Sequence, residues 1–248
     1  MADSGSAPAH ARSIGPTHLP SRRDGEADAP QGLWGWFKEL ALIIVIALII
    51  SSLLRAFIVQ VFWIPSPSMH DTLVEKDKIA VSRIHALTGD IQRGDVVVFH
   101  DDLGWLSSSA TQSSNPLAKA GEFLGVVPAG GEQTLVKRVI GVGGDRVECC
   151  TADGRLTVND TPITETYLAA GQVPSTISFS ATVPEGFLWV MGDNRGNSAD
   201  SRYHMGEGET PYVSVDSVVG TVAAVILPVN RFRFGISAPD VFASVPNP

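Results

Sequence analysis

The sequence predicts a mainly β protein, in which a single N-terminal transmembrane helix precedes an antiparallel β-sheet domain. One uncharged, mostly apolar run of 15 residues, Leu40 to Leu54, lies near the start of the chain. The remainder consists of short β-branched and apolar runs separated by Gly, Pro and Asp turn signals. Because helical and strand patterns do not alternate, a parallel sheet is not expected. A length of 248 residues suits one core domain or two small ones.

The first 36 residues are predicted to be a disordered tail. They are rich in Ala, Ser, Pro, Gly and Asp and have no apolar period. Over the whole chain, 26 acidic residues outnumber 18 Lys and Arg, for a net charge of -8. This balance argues against a nucleic-acid partner, because phosphate binding requires a basic patch.

Residues 37–58 are predicted to be an uncleaved transmembrane anchor. A buried core helix fits less well, since the segment is apolar on all sides and follows a polar tail. A cleaved signal peptide should start near the N-terminus and end in a small-x-small site, whereas this segment ends in "SLLRAF". Trp34, Trp36 and Phe37 fit an interfacial aromatic belt, and Arg55 can extend to the far headgroups.

Charge alone does not orient this anchor in the membrane. Three basic residues lie close before the helix and three lie close after it, so the positive-inside count is tied. They are Arg22, Arg23 and Lys38 before it, and Lys76, Lys78 and Arg83 after it.

Residues 59–235 are predicted to form the β-rich domain. The stretch "RVECCTADGRLTVN" indicates a hairpin that turns at Asp153-Gly154. The Ser-, Gly- and Ala-rich residues 102–133 are interpreted as a surface insertion, and residues 236–248 as a C-terminal tail. The predicted strands are 57–63, 78–85, 95–100, 134–142, 146–150, 155–159, 187–192 and 218–227.

Cysteine usage is minimal and leaves two interpretations open. Cys149 and Cys150 are adjacent, so they are either two small half-buried strand residues or a vicinal disulfide outside the cytosol. The chain has no CxxC pair and no clustered histidines, so no zinc site is expected.

The stretch "WIPSPSMHDTL", Trp63 to Leu73, places Ser66 and Ser68 directly after the apolar region. A serine hydroxyl is a poor nucleophile unless a neutral base removes its proton. Four histidines lie in the β-rich region, but no Gly-x-Ser-x-Gly elbow presents a serine to them. A histidine triad nevertheless stays open, because triads are recognised by geometry.

Lys137 is the other candidate base. In "TLVKRVIGV", strand alternation puts Lys137 on one face with Leu135 and Val139, and Arg138 on the other face. If the first face is the core side, burial lowers the pKa of the lysine. An ordinary lysine, with a pKa near 10.4, is neutral only about once in a thousand at neutral pH. The alternative is a strand lysine whose amine extends into solvent.

A third segment, "MGDNRGNSADSR" from Met191 to Arg202, concentrates polar side chains in one loop. Side chains that hydrogen-bond locally predict a rigid loop. Such a loop can supply a group that orients a catalytic base.

Together these segments resemble the bacterial type I signal peptidases. "PSPSMHDTL" resembles their serine box, "RGDVVVF" the strand box, "VKRVIGVGGD" the lysine box and "GDNRGNSADSR" the last box, in the family's order after an N-terminal anchor. The resemblance covers about residues 37 to 235. It implies a membrane-anchored serine endopeptidase that removes signal peptides after small-x-small (Ala-x-Ala) sites without a cofactor.

The resemblance also implies roles for individual residues. Ser68 matches the nucleophile and Lys137 the general base, while Ser66 matches the oxyanion donor beside the backbone N–H of Ser68. Ser198 matches the serine that orients the lysine. Asp200 and Arg202 match a pair that supports the loop. Apolar walls of the S1 and S3 pockets carry over onto Phe62, Ile64, Pro65, Met69, Leu73, Ile79, Leu135 and Val136.

The family implies a single-pass protein of the cell membrane, with a cytoplasmic N-terminus and an extracytoplasmic catalytic domain. Its expected partners are preprotein signal peptides, the lipid bilayer and, as a further candidate, the secretion translocon. Phe62, Trp63 and Trp105 are candidates for an apolar membrane-contacting surface. Some family members have a small cap domain, which is expected to be reduced here to about residues 148–185.

Two positions depart from the family pattern. Many members carry Pro where this chain has Asp71, and Asp where it has Gly196. Neither position performs chemistry, so altered loop rigidity without loss of activity is expected.

Two other functions share parts of this pattern. A self-cleaving repressor of the Ser–Lys type would carry a DNA-binding helix-turn-helix where this chain has a tail and a membrane span. A non-enzymatic anchored binding protein would have lost the chemistry, yet Ser66, Ser68, Lys137 and Ser198 are all present.

Overall fold

A computed structural model of the protein describes residues 33–106, 134–169 and 171–248. Over these residues one long helix precedes a domain of antiparallel strands, which confirms the predicted fold class. Most of the predicted tail, residues 1–32, and most of the predicted insertion, residues 107–133, lie outside the described residues.

Helix α1, Leu33–Phe57, is 25 residues long. Its segment Gly35–Ser52 has a mean hydropathy of 1.9, so the helix is long and apolar enough to cross a membrane. Trp36 and Phe37, of the predicted aromatic belt, are exposed. The side chains of Trp34 and Arg55 lie outside the described part of the structure. The chain divides into two units, Met1–Ile44 and Val45–Pro248, and the boundary falls within this helix.

The larger sheet has eight strands, all paired antiparallel. Its strands are β1 Val59–Trp63, β2 Lys78–Ser82, β3 Val96–His100, β4 Thr134–Val142, β9 Phe187–Met191, β10 Val213–Ser214, β11 Val218–Leu227 and β12 Arg233–Phe234. Their order in the sheet is β1-β2-β11-β3-β4-β9-β10, and β12 pairs with β11. A short helix α2, Ile84–Thr88, follows β2.

The smaller sheet overlaps the region predicted as a reduced cap, residues 148–185, and begins two residues before it. Its strands are β5 Arg146–Cys149, β6 Leu156–Val158, β7 Thr161–Pro162 and β8 Phe179–Thr182. Their order in the sheet is β7-β6-β5-β8, and the predicted hairpin at Asp153-Gly154 joins β5 to β6. Cys149, at the end of β5, is bonded to Cys150 in a vicinal disulfide.

The larger sheet is covered on both faces. In β3, Val96 and Val98 pack into one apolar cluster while Val97 and Phe99 pack into another. Strands buried on both faces are apolar at every position rather than at alternate ones, as "VVVF" is. Side chains on either face of the neighbouring strand β4 are therefore removed from water.

The two neighbours of β4 pair with different halves of it. β3 pairs with Thr134–Arg138, and β9 pairs with Arg138–Val142. Within the described residues, no strand pairs with Leu135–Lys137 on the β9 side. This leaves an open sheet edge directly beside Lys137.

Residues 236–248, expected to be a tail, pack against the domain. Phe242 and Val245 lie in the cluster beneath the smaller sheet, and Ile236 lies in the cluster around β1 and β2. Arg93 donates a hydrogen bond to the backbone oxygen of Pro246, 3.1 Å away. These contacts fix the segment to the surface below β4 and β5.

Candidate active site

A turn that carries Ser68 follows β1. After Trp63 the chain continues extended to Ser66 and then forms one 3₁₀ turn, Pro67–Met69, with proline at its first position, where no backbone N–H is needed. Met69 and Leu73 are buried in the apolar cluster beneath the turn. Buried side chains on the C-terminal side therefore anchor this turn, and Ser68 itself is only 7% exposed. We call Pro67–Met69 the nucleophile turn, after the predicted role of Ser68.

Lys137 extends from β4 to this turn. Its Nζ lies 2.8 Å from Ser68 Oγ and 3.2 Å from the backbone oxygen of Val136. The side chain is 2% exposed. Burial lowers its pKa from 10.5 to about 8, against the negative charges of Asp200 and Asp193, which raise it. The structure thus joins two residues 69 positions apart in the geometry of a nucleophile and its base.

Ser66 lies on the exposed side of the same turn. Its Oγ is 3.4 Å from Ser68 Oγ. A hydroxyl at this distance from the attacking oxygen can reach an oxyanion that forms beside it. The predicted role of Ser66 stays a prediction.

Ser198 is buried close to the nucleophile turn but makes no hydrogen bond to Lys137. Among the described residues its Oγ has no hydrogen-bond partner. A Cβ placed on Gly192 would clash with Ser198 Oγ and lie 2.5 Å from the backbone oxygen of Ser68. Gly192 therefore lets these two serine-bearing segments approach each other, and the expected contact between Ser198 and the lysine is absent.

Asp200 and Arg202 form the expected pair. Two parallel contacts join them, Arg202 Nε to Asp200 Oδ1 at 2.8 Å and Nη2 to Oδ2 at 2.9 Å. Asp200 also accepts from the backbone N–H of Gly192 at 3.0 Å. Both side chains are almost fully buried. Through the bond from Gly192, Asp200 joins the start of the loop Met191–Arg202 to its end.

A second buried pair was not singled out from the sequence. Arg138 binds Asp193 through Nε–Oδ1 and Nη2–Oδ2 contacts of 2.8 and 2.7 Å. Thr72, in the loop after the nucleophile turn, donates to the same carboxylate at 2.5 Å. Strand alternation already put Arg138 on the face opposite Lys137, but it gave no indication of a partner for the arginine. Because both faces of β4 are covered, its two consecutive charged residues are both buried.

A third pair joins Arg195, of the last box, to Glu165, which no motif contains. Glu165, in the segment after β7, binds Arg195 through both carboxylate oxygens, and both side chains are 1% exposed. Tyr167 donates to Glu165 at 2.7 Å, and its ring lies 4.1 Å from the Arg138 guanidinium carbon. Burial raises the pKa of Tyr167 well above its ordinary value. No helical or strand period marks residues 163–178, so the sequence gave no indication of these contacts.

The predicted substrate-binding residues do not all lie together. Phe62, Ile64, Met69, Leu73 and Ile79 are buried in one cluster, against which Val136 packs. Leu135 lies on the opposite face of β4, in the cluster with Val97 and Phe99. Pro65 is exposed.

The three candidates for a membrane-contacting surface also differ. Trp63 is 49% exposed, whereas Phe62 is 4% exposed. Trp105 packs on Phe99 and stacks on His204 at 4.4 Å. Trp63 alone of the three presents a large apolar surface. Phe232, directly before β12, and Phe234, in β12, are exposed as well.

One family departure has a local explanation. Asp71 has φ +76. Proline cannot adopt this conformation, because its ring fixes φ near −65°. The turn after Ser68 therefore takes a shape that proline at position 71 would not allow.

The chain is similar to known proteins over most of its length. The family model described as signal peptidase, peptidase S26, matches residues 37–227. A probable signal peptidase I of Mycobacterium leprae is 36% identical over 225 residues, which cover 78% of this chain and 77% of that protein. Signal peptidase I of Mycobacterium tuberculosis is 35% identical over 219 residues, 79% of this chain and 74% of that protein.

A crystal structure of a signal peptidase I from Enterococcus faecalis is also similar. It shares 26% identity, covers 53% of this chain and 96% of its own, and gives a TM-score of 0.33. The extent of the family match and the identity to full-length relatives confirm the resemblance seen in the sequence. The chain belongs to the signal peptidase family, peptidase S26, and is a serine endopeptidase.

Proposed function

We propose that this protein is a membrane-anchored endopeptidase that removes signal peptides from exported preproteins with a Ser68–Lys137 dyad. The observation that carries the proposal is the 2.8 Å distance between Ser68 Oγ and the buried Nζ of Lys137. With a pKa of about 8, roughly one lysine in ten is neutral at pH 7, compared with about one in three thousand at a pKa of 10.5. Burial thus supplies a base that operates near neutral pH.

Catalysis begins when Ser68 Oγ attacks the scissile carbonyl carbon and passes its proton to neutral Lys137 Nζ. The carbonyl oxygen becomes an oxyanion, for which the backbone N–H of Ser68 and the hydroxyl of Ser66 are the donors. One such donor contributes about 3 kcal/mol to transition-state stabilisation. The intermediate collapses, the C–N bond breaks, and the lysine ammonium gives its proton to the leaving amine.

A water molecule then replaces the amine. Lys137, neutral again, accepts a proton from water as the water oxygen attacks the acyl carbon. The second intermediate collapses, and the lysine returns the proton to Ser68 Oγ as the ester bond breaks. The products are the signal peptide with a free carboxylate and the mature protein with a free amine.

Substrate is proposed to add as a strand along the open edge of β4 beside Lys137. Main-chain hydrogen bonds would hold it there, and side chains at alternate positions would meet the apolar walls from the nucleophile turn and β1. Close-packed walls favour small side chains, which accounts for an Ala-x-Ala preference. The wall residues that lie in one cluster are Phe62, Ile64, Met69, Leu73, Ile79 and Val136.

The anchor is proposed to be α1, in a single-pass arrangement with the N-terminus in the cytoplasm and the catalytic domain outside. Its length and its mean hydropathy of 1.9 support a membrane span. Protease added to the outside of spheroplasts should degrade the β domain while the cytoplasmic tail stays intact. Degradation only after lysis would contradict this orientation.

Cleavage of a model preprotein by the full chain in detergent tests the proposed chemistry. Ser68→Ala and Lys137→Met should each reduce cleavage to background. In the wild type, kcat/KM should rise with a midpoint near pH 8, because the base must be neutral. Cleavage retained in either purified variant, or a midpoint near pH 6.5 that indicates a histidine, would contradict the dyad.

A further inference from the structure

Two side-chain amides connect the segment after β7 to the nucleophile turn. Gln172 Nε2 donates to Asn194 Oδ1 at 3.3 Å, and Asn194 Nδ2 donates to the backbone oxygen of Pro67 at 3.0 Å. The backbone N–H of Asn194 donates to the backbone oxygen of Ser68, also at 3.0 Å. Asn194 therefore holds two consecutive carbonyl groups of the nucleophile turn, and Gln172 holds Asn194.

The orientation of both amides is determined at the two ends of this relay. Gln172 Oε1 accepts from the backbone N–H of Gly196 at 3.0 Å, a group that can only donate. Its Nε2 must then face Asn194, which turns Oδ1 toward Gln172 and Nδ2 toward Pro67. The carbonyl of Pro67 can only accept. The four groups are consistent with one arrangement, and reversing either amide would place like groups against each other.

The segment that carries Gln172 is itself held firmly. Arg195, which lies between Asn194 and Gly196 in the sequence, binds Glu165 and donates to the backbone oxygen of Pro174 at 2.8 Å. Glu165 precedes Gln172 in the sequence and Pro174 follows it, so Arg195 holds the segment on both sides of Gln172. Gln172 thus extends from a fixed backbone rather than from a loose loop.

We propose that Gln172 is a positioning residue for catalysis, acting through Asn194 on the turn that presents Ser68. This inference rests on the proposed function. The carbonyl groups of Pro67 and Ser68 set the planes of the two peptide units that follow them, so they fix the direction of the Ser68 N–H and the position of its Oγ. Gly196 offers only a backbone N–H, and Gln172 is the side chain that binds it.

Two substitutions separate positioning from simple attachment of the loop. Gln172→Met keeps the length of the side chain and removes both hydrogen bonds. Gln172→Glu keeps the acceptor for the Gly196 N–H but places a carboxylate against Asn194 Oδ1, so the asparagine amide must turn over. Gln92→Met is the matched control, because Gln92 bonds only locally, with Asp90 and Asp95, at a surface turn.

Cleavage of a model preprotein by the full chain in detergent should be measured at pH 9.5, above the lysine pKa. We expect kcat to fall about tenfold in both Gln172 variants with KM unchanged, since a misplaced nucleophile affects the chemical step. The Gln92 variant should match the wild type. Wild-type kcat in Gln172→Glu would overturn the proposal, because a merely structural tie to Gly196 survives that change. An increase in KM alone would overturn it as well.

Hydrogen exchange gives a readout that does not depend on activity. The Asn194 amide should exchange faster in both Gln172 variants, and amides in β3 and β9 should not change. Unchanged exchange at Asn194 would overturn the relay even if activity fell. A wild-type chain that fails to cleave any small-x-small preprotein would overturn the proposed function instead, and the exchange result alone would then decide whether Gln172 positions the turn.

Discussion

Lys137→Met should stabilise the fold at neutral pH while it abolishes activity. Lys137 is 2% exposed, and burial lowers its pKa from 10.5 to about 8. This difference corresponds to roughly 3 kcal/mol by which the folded state disfavours the lysine charge. Methionine is similar in length, carries no charge and packs well in irregular spaces. Loss of the hydrogen bond to Ser68 costs about 1 kcal/mol of stability. Lys137→Met should therefore raise the free energy of unfolding at pH 7 by about 2 kcal/mol.

The pH dependence of this gain follows from the direction of the pKa shift. Below pH 8 the lysine is protonated in the folded and the unfolded chain, so the full penalty applies. Between pH 8 and 10.5 the unfolded chain binds more protons, and the stability of the wild type rises with pH. At pH 10 the remaining penalty is under about 1 kcal/mol. The advantage of Lys137→Met should therefore shrink by roughly 2.5 kcal/mol between pH 7 and pH 10.

Urea unfolding of the full chain in detergent, at pH 7 and pH 10, measures both quantities. Lys78→Met, the same change at a half-exposed lysine of β2, shows what the substitution does outside the site. An advantage that is equal at the two pH values would refute the reasoning, because the penalty would then not arise from a proton. A variant less stable than the wild type at pH 7 would refute it too.

Two further substitutions test the loop that supports the site. Glu165→Gln should destabilise the domain by roughly 3–5 kcal/mol, because it leaves the Arg195 charge buried without its partner; thermal unfolding measures this, and a loss below about 1 kcal/mol would show that the pair is dispensable. Gly192→Ala should reduce kcat/KM at least about a hundredfold, because its methyl group would lie 2.5 Å from the backbone oxygen of Ser68. Gly206→Ala, where nothing lies within 4 Å, should leave cleavage unchanged, and equal activity in the two variants would contradict the predicted clash.

The two longest strands described could be predicted because their sequences are long and apolar. β4 and β11 have the predicted bounds, 134–142 and 218–227. By contrast β7, β10 and β12 have two residues each and were not predicted, since a two-residue strand shows no periodicity. Their pairing depends on neighbours far away in the sequence.

Local pattern identified the proposed nucleophile and base but not the contacts that hold them in place. Ser68 and Lys137 stand in distinctive motifs, and the structure brings them together as expected. Glu165 and Gln172 stand in a segment without a pattern, and their importance depends on which loop packs against them in three dimensions. The burial of Arg138 likewise depends on a second layer of side chains that covers the sheet. A strand sequence with one charge on each face does not reveal that layer.

The three buried arginine–carboxylate pairs limit how this protein can change over evolutionary time. A descendant that lost one member of a pair would carry an uncompensated buried charge at roughly 3–5 kcal/mol, a large part of the about 5–15 kcal/mol that holds a typical domain folded. Neutral drift at these positions should therefore proceed by joint replacement of both partners, and comparison of many relatives should reveal covariation. The pairs are Arg138 with Asp193, Arg195 with Glu165, and Arg202 with Asp200.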